Sequence, residues 1–198
     1  ARWDMYEVEL KVAVDAARTR SRLRERGAER LETVRQVDTY YDAPHRDFAE
    51  TDEALRIRVE RPLEGPDSSE DDHRSDAEGA VRMTYKGPLI GDGTKTREEH
   101  ESTVDDREAI DAALVALGFE PAHVVEKQLR RFELREYTVT LDRVQGLGAF
   151  VEVEKAVPES EIEPAREGAL DLLVELGLDP EEGITTSYLG LSLAKQEN

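Results

Sequence analysis

Charge and apolarity alternate along Tyr6-Glu7-Val8-Glu9-Leu10-Lys11-Val12, and this pattern constrains the fold more than any other feature of the chain. In a strand, successive side chains point to opposite faces. Tyr6, Val8, Leu10, Val12 and Val14 therefore share a core-facing side, while Glu7, Glu9 and Lys11 share the other. Two carboxylates one pleat apart suit a hard divalent cation such as Mg²⁺, which takes oxygen ligands and commonly shares them with substrate phosphates. Lys11, one pleat further on, would reach those phosphates. Taken alone, the segment also describes an amphipathic strand whose charged face is merely wet.

The pattern recurs, and the recurrence argues against that plain reading. Arg56 and Arg58 alternate with Leu55, Ile57 and Val59; Thr84 and Lys86 flank Tyr85; Arg97, Glu99 and Glu101 alternate with Glu98 and His100; Glu152 and Glu154 alternate with Phe150, Val151 and Val153. An ordinary antiparallel sheet turns one face to a core and leaves assorted polar groups in water. Acidic pairs on the first and last segments, with basic pairs between them, resemble the lining of a closed polar cavity. A barrel of about eight strands has an interior wide enough for one small ligand.

With 198 residues the expectation is one domain with one good core. The chain has no cysteine, so disulfides and thiolate metal sites are excluded. No apolar run approaches the ~18 residues of a membrane span and no signal-peptide h-region is seen, so a soluble cytoplasmic protein is expected. Acidic residues number 46 against 27 basic ones, a net charge of −19, and only six of the basic residues are lysines. Such charge destabilises a compact state by self-repulsion unless salt screens it, as molar salt does with a Debye length of about 3 Å. The source is read as a halophile of the salt-accumulating kind. No dominant basic surface invites nucleic acid. Because lysine is scarce, the placing of Lys11, Lys86 and Lys127 within strand-like segments carries weight.

Strands are expected over 5–14, from Leu31 to Asp42, over 54–60, 80–87 and 95–104, from Val124 to Leu134, from Tyr137 to Leu141 and over 150–156. Helices are expected from Asp15, as N-cap, to about Arg26, from Asp106 to Leu117 and from Glu161 to Leu176, each stopped by a glycine (Gly27, Gly118, Gly177). Residues from Thr185 to Leu193 read as a short helical or irregular tail. The segment 61–79, with Pro62, Pro66 and the run from Asp67 to Asp72, reads as a mobile acidic loop. It includes His73, to which no function is assigned. Antiparallel strands interrupted by three helices point to an α+β protein.

In this order the motifs resemble the CYTH family, the triphosphate tunnel metalloenzymes, which include class IV adenylate cyclases, thiamine triphosphatases and inorganic triphosphatases. The resemblance rests on Glu7-x-Glu9-x-Lys11, on the run Asp38-Thr39-Tyr40-Tyr41-Asp42, on Leu55-Arg56-Ile57-Arg58 and Thr84-Tyr85-Lys86-Gly87, on Arg97-x-Glu99-x-Glu101, on Lys127, on the stretch from Leu141 to Glu154 and on Ser187-Tyr188. It covers about residues 5 to 190. The glutamate string alone is weak; the ordered set is specific. It implies one domain over 1–198, built as an eight-stranded antiparallel β-barrel forming a polar tunnel with helices packed outside.

The resemblance further implies metal ligands at Glu7, Glu9, Glu152 and Glu154, with Asp142 as a further ligand or orienter of water, for Mg²⁺ or Mn²⁺. It implies triphosphate-binding residues at Lys11, Arg56, Arg58, Lys86 and Lys127. Here the chain departs from the family pattern. Lys127 is followed by Gln128-Leu129-Arg130-Arg131, with Leu where an Arg is common. Same-face parity favours Arg131, and a bulge would bring in Arg130. Glu99, Glu101 and Asp142 are candidates for orienting the nucleophile or holding a second metal. The expected partner is a triphosphate-containing small molecule, with neither nucleic acid nor membrane, and a homodimer is compatible with the reading. Class IV cyclase chemistry, ATP to cyclic AMP and pyrophosphate, is the leading expectation. Hydrolysis of tripolyphosphate or thiamine triphosphate is the alternative, and a non-catalytic polyphosphate-binding module is the third.

Overall fold

The alternation closes on itself. In the computed structural model, which describes residues 5–63, 79–90 and 96–196, eight strands form one barrel in the order β1-β5-β4-β3-β2-β6-β7-β8, and every pairing is antiparallel. The strands are β1 (Met5–Ala13), β2 (Glu29–Asp42), β3 (Ala54–Pro62), β4 (Ala80–Leu89), β5 (Arg97–Thr103), β6 (Glu120–Leu134), β7 (Tyr137–Val144) and β8 (Gly148–Pro158). Among the described residues four α-helices accompany the barrel: α1 (Ala16–Glu25), α2 (Arg107–Ala116), α3 (Ile162–Glu175) and α4 (Tyr188–Gln196). The α+β barrel expected from the sequence is the fold observed.

The helix ends follow the local chemistry. The Asp15 side chain accepts from the Arg18 amide and the Asp106 side chain from the Ala109 amide, each satisfying one of the orphan donors of a first turn. Gly27, Gly118 and Gly177 take left-handed φ of 76°, 91° and 64° just past α1, α2 and α3, where a Cβ would be strained. Strand limits moved more. β2 starts two residues earlier than its hydrophobic alternation suggests, and β6 starts at Glu120, before Val124, because the β2–β6 ladder continues to Asp42↔Glu120. Pairing to β2 carries β3 on through Arg61 and Pro62, which the sequence reading placed in the loop. The rest of that acidic segment, 64–78 with His73, lies outside the described residues.

Most of the core lies outside the barrel. Leu10 and Val12 of β1, Phe132 and Leu134 of β6, Val139 and Leu141 of β7, and Val151 and Val153 of β8 pack beneath Leu23 of α1 and Ala169, Leu172 and Leu173 of α3. On the other flank, Tyr41, Leu55 and Ile57 pack with Leu114 of α2. The apolar faces of these strands are thus covered by helices, and the charged faces are enclosed by the closed sheet. Val8 and Lys11, on opposite faces of β1, are 0% and 1% exposed. Both faces of the first strand are buried, for different reasons.

Candidate active site in the barrel

A cavity of about 610 Å³ runs inside the barrel and receives side chains from all eight strands. Ten carboxylates and seven Arg or Lys side chains line it. Glu7, Glu9 and Glu154 come together at one point: a carboxylate oxygen of each lies within 4.8 Å of the others. The register explains the meeting, because Glu9 pairs with Glu154 across the β1–β8 ladder and Glu7 follows one pleat away. Burial raises the Glu7 carboxyl to about 7, with Glu99 and Glu9 adding repulsion and Lys86 opposing it. Burial, then repulsion from Glu7, Glu152 and Glu9, pushes Glu154 up to about 8. Three carboxylates side by side, two of which resist ionisation, make a site that a hard divalent cation fits, since the cation replaces protons and takes oxygen ligands.

Opposite charges occupy the rest of the wall. Lys86 Nζ lies 2.8 Å from Glu99 and 3.3 Å from Glu7. Burial would raise Glu99, but Lys86 and Arg56 outweigh it and hold the carboxyl below its usual value. Arg56 and Arg58 project from β3 into the cavity and face Asp38 of β2. Lys127 Nζ donates to Asp142 at 2.6 Å and lies 3.7 Å from Glu152. Glu101, at the rim, accepts from Thr84 Oγ1 at 3.0 Å and lies 3.5 Å from Arg82. Lys11 is engaged from outside the sheet: its Nζ donates to the Thr186 carbonyl at 2.6 Å and sits 4.2 Å from the centre of the Tyr188 ring. Lys127 Nζ is 4.9 Å from the same ring. The start of α4 therefore closes over both lysines.

Most of the residues expected from the sequence gather around this cavity. Glu7, Glu9, Glu99, Glu101, Glu152 and Glu154 line it, as do Arg56, Arg58, Lys86 and Lys127. Asp142, fully buried, is paired with Lys127 and stands outside the three-glutamate cluster. Glu152 likewise faces Lys127 and is not in the cluster. The β6–β7 ladder runs without a register shift, so Lys127, Leu129 and Arg131 share the inner face and Arg131 lines the cavity. Arg130 instead borders a small separate cavity with Thr33 and Leu141. Arg131 is held by Glu32 and by Glu60, the latter at 3.4 Å. Among the lining residues the sequence reading did not single out as site groups are Asp38, Asp52, Glu53, Glu60, Arg82, Arg97 and Tyr188. Asp38 and Tyr188 stood in plain view within motifs, but their roles depend on partners from other strands.

Residues 5–188 match the CYTH domain. The chain belongs to the CYTH family. Among its relatives is the Methanocaldococcus jannaschii protein named "Putative adenylate cyclase MJ0240", 33% identical over 189 residues that cover 94% of this chain and 98% of that one. The solved PH1819 protein of Pyrococcus horikoshii superposes with a TM-score of 0.83 at 36% identity, covering 96% of this chain and 99% of that one. HpAC1 from Hippeastrum, whose structure is described as revealing a dominant triphosphatase activity, shares the fold with a TM-score of 0.64 at 16% identity, covering 98% of this chain and 96% of its own. No helix among the described residues is long and apolar enough to cross a membrane.

The raised carboxyls predict an unusual pH response for this CYTH protein. The folded-state values of Glu7 and Glu154, about 7 and about 8, lie above the ordinary 4.5. The native state therefore holds more protons than the unfolded chain, and the stability these two groups confer is complete below pH 4.5 and is lost as pH rises through 7 and 8. In chelator, the melting temperature is expected to fall between about pH 6 and pH 9, and saturating Mg²⁺ to raise it more at the alkaline end. A metal-free melting temperature that climbs across this interval would remove the cation site.

Proposed function

We propose that this chain is a metal-dependent enzyme that acts on a triphosphate held inside the barrel, and that its reaction is that of a class IV adenylate cyclase, ATP to cyclic AMP and pyrophosphate. One observation carries the reading: a three-carboxylate cluster able to hold a divalent cation faces a wall of Arg56, Arg58, Lys86 and Lys127 within one enclosed cavity. Phosphoryl and nucleotidyl transfer need little covalent chemistry from the protein beyond positioning and charge. Glu7, Glu9 and Glu154 would hold Mg²⁺ or Mn²⁺, which when bound would neutralise charge on the phosphate oxygens and make the phosphorus more open to attack. Arg56 and Arg58 suit the paired oxygens of a phosphate, while Lys86 and Lys127 act as point charges. Glu99, which lines the cavity, would orient the attacking hydroxyl; Glu101 and Asp142 are the further candidates. The cavity volume falls within the range of small-molecule sites and leaves room beyond a triphosphate for an organic group. The relative from M. jannaschii carries the cyclase name.

Hydrolysis by water is the second reading, because the basic wall addresses phosphate and is indifferent to what the triphosphate carries. Purified protein with ATP, thiamine triphosphate or tripolyphosphate, plus Mg²⁺ or Mn²⁺ in molar KCl, separates the two. Cyclic AMP and pyrophosphate in equal amounts are expected from ATP. Orthophosphate from all three without cyclic AMP would make the protein a triphosphatase, and no product from any of them would overturn the enzyme reading.

A further inference from the structure

A buried carboxylate in the middle of a phosphate-binding wall needs a reason, since it repels the ligand the wall is built for. Asp38 is 3% exposed and points into the barrel from β2. The β2–β3 ladder sets it directly opposite Arg58. Asp38 Oδ1 accepts from Arg58 Nε and Oδ2 from Arg58 NH2, both at 2.6 Å, and Oδ2 also accepts from Arg56 NH1 at 3.4 Å. Burial alone would raise this carboxyl, but Arg58 and Arg56 pull it well below the usual carboxylate range, so it is ionised whenever the protein is folded near neutrality. The bidentate grip uses the Nε–NH2 edge of Arg58 and leaves NH1 outside the pair, in a fixed position from which it can donate to a ligand. Arg56 is held less tightly. Its NH2 is 3.9 Å from Glu99, and its buried Nε has no hydrogen-bond partner among the described residues.

Resting on the proposed function, we infer that Asp38 is a positioning residue for the reaction: it fixes the Arg58 guanidinium in one orientation and steadies Arg56 between two carboxylates, so that both meet the triphosphate already aimed. The local alternatives are weaker. As a metal ligand Asp38 is badly placed, because the two guanidinium groups it accepts from would repel a cation. As a simple structural ion pair it would be an expensive choice, because burying a charge pair often costs about what the attraction returns. A fixed guanidinium, by contrast, loses no orientational freedom when charge develops on the phosphates, which is where electrostatic catalysis gains most.

The test compares Asp38→Asn, Arg58→Ala and the double variant by steady-state kinetics on the substrate the wild type turns over, beside a melting curve for each in the same high-salt buffer. Asp38→Asn is expected to lower kcat by roughly tenfold to a hundredfold, the size of effect that a displacement of about 1 Å produces, with KM nearly unchanged. Because Asp38 acts through Arg58, the two losses should not multiply in the double variant. Asp38→Glu keeps the charge, so it should melt like the wild type yet still lose about tenfold in kcat, because the longer arm shifts the guanidinium. This second variant decides the matter if Asp38→Asn does not fold. Wild-type kcat in Asp38→Glu, or losses that multiply in the double variant, would reduce Asp38 to a structural ion pair. Absence of any turnover by the wild type would instead overturn the proposed function, and Asp38's role with it.

Discussion

In excess chelator the protein is expected to lose triphosphate binding as well as turnover. The reason is the charge of the cavity itself, where ten carboxylates outnumber seven basic groups. Without a bound cation the lining has no net positive charge to offer a polyanion, and unlike exposed charges its members are poorly screened by salt. Each basic group is also already matched: Lys127 to Asp142, Lys86 to Glu99, Arg58 to Asp38. A divalent ion at Glu7, Glu9 and Glu154 tips that balance toward the substrate. Glu9→Gln and Glu154→Gln should therefore abolish turnover while leaving the metal-free fold as stable as before or more so, since each removes a member of a repelling cluster. Titration calorimetry with tripolyphosphate, with and without Mg²⁺, beside melting curves of the two variants, checks both halves. Full activity in chelator would sink the cation site, and tight tripolyphosphate binding in chelator would sink the charge argument.

Two neighbouring residues of β3 should give opposite results. Arg56 points into the cavity and Ile57 into the outer core against Tyr41, Leu55 and Leu114. Arg56→Ala removes a charge-assisted contact to substrate worth roughly 1.5–3 kcal/mol, so binding is expected to weaken about tenfold or more. The fold should survive, because no apolar packing is lost and Asp38 keeps Arg58. Ile57→Asp places an unpaired charge where the native side chain is 0% exposed, at a cost of several kcal/mol, and should prevent folding. Calorimetry in high salt and a melting curve for each variant decide it. If Arg56→Ala unfolds and Ile57→Asp melts normally, the two faces of β3 are reversed.

How far the amino-acid order reaches is visible on these same strands. Period-2 alternation is a local property, so the division of β1 into Glu7, Glu9 and Lys11 on one face and Val8, Leu10 and Val12 on the other was legible without coordinates. So were the cap at Asp15 and the glycine stops, which depend on a few adjacent residues. The gathering of Glu7, Glu9 and Glu154 was also within reach, because motifs at both ends of the chain pointed to one lining.

What remained hidden depends on register between strands distant in sequence. Whether Arg130 or Arg131 turns inward is set by an unbroken β6–β7 ladder, and a single bulge would have reversed it. Asp142 meets Lys127, across 15 residues, because the pairing of β6 with β7 sets the two side by side on the inner face. Asp38 acquires its meaning only from Arg58 directly opposite on β3. The strands' extra length at β3 and β6 comes from pairing to β2, which no local propensity announces. The sealing of Lys11 and Lys127 beneath Tyr188 requires the start of α4 to return to the barrel, with Thr186 meeting Lys11 across a sequence separation of 175. Local alternation chose the faces; closure of the sheet decided that the charged one became an interior.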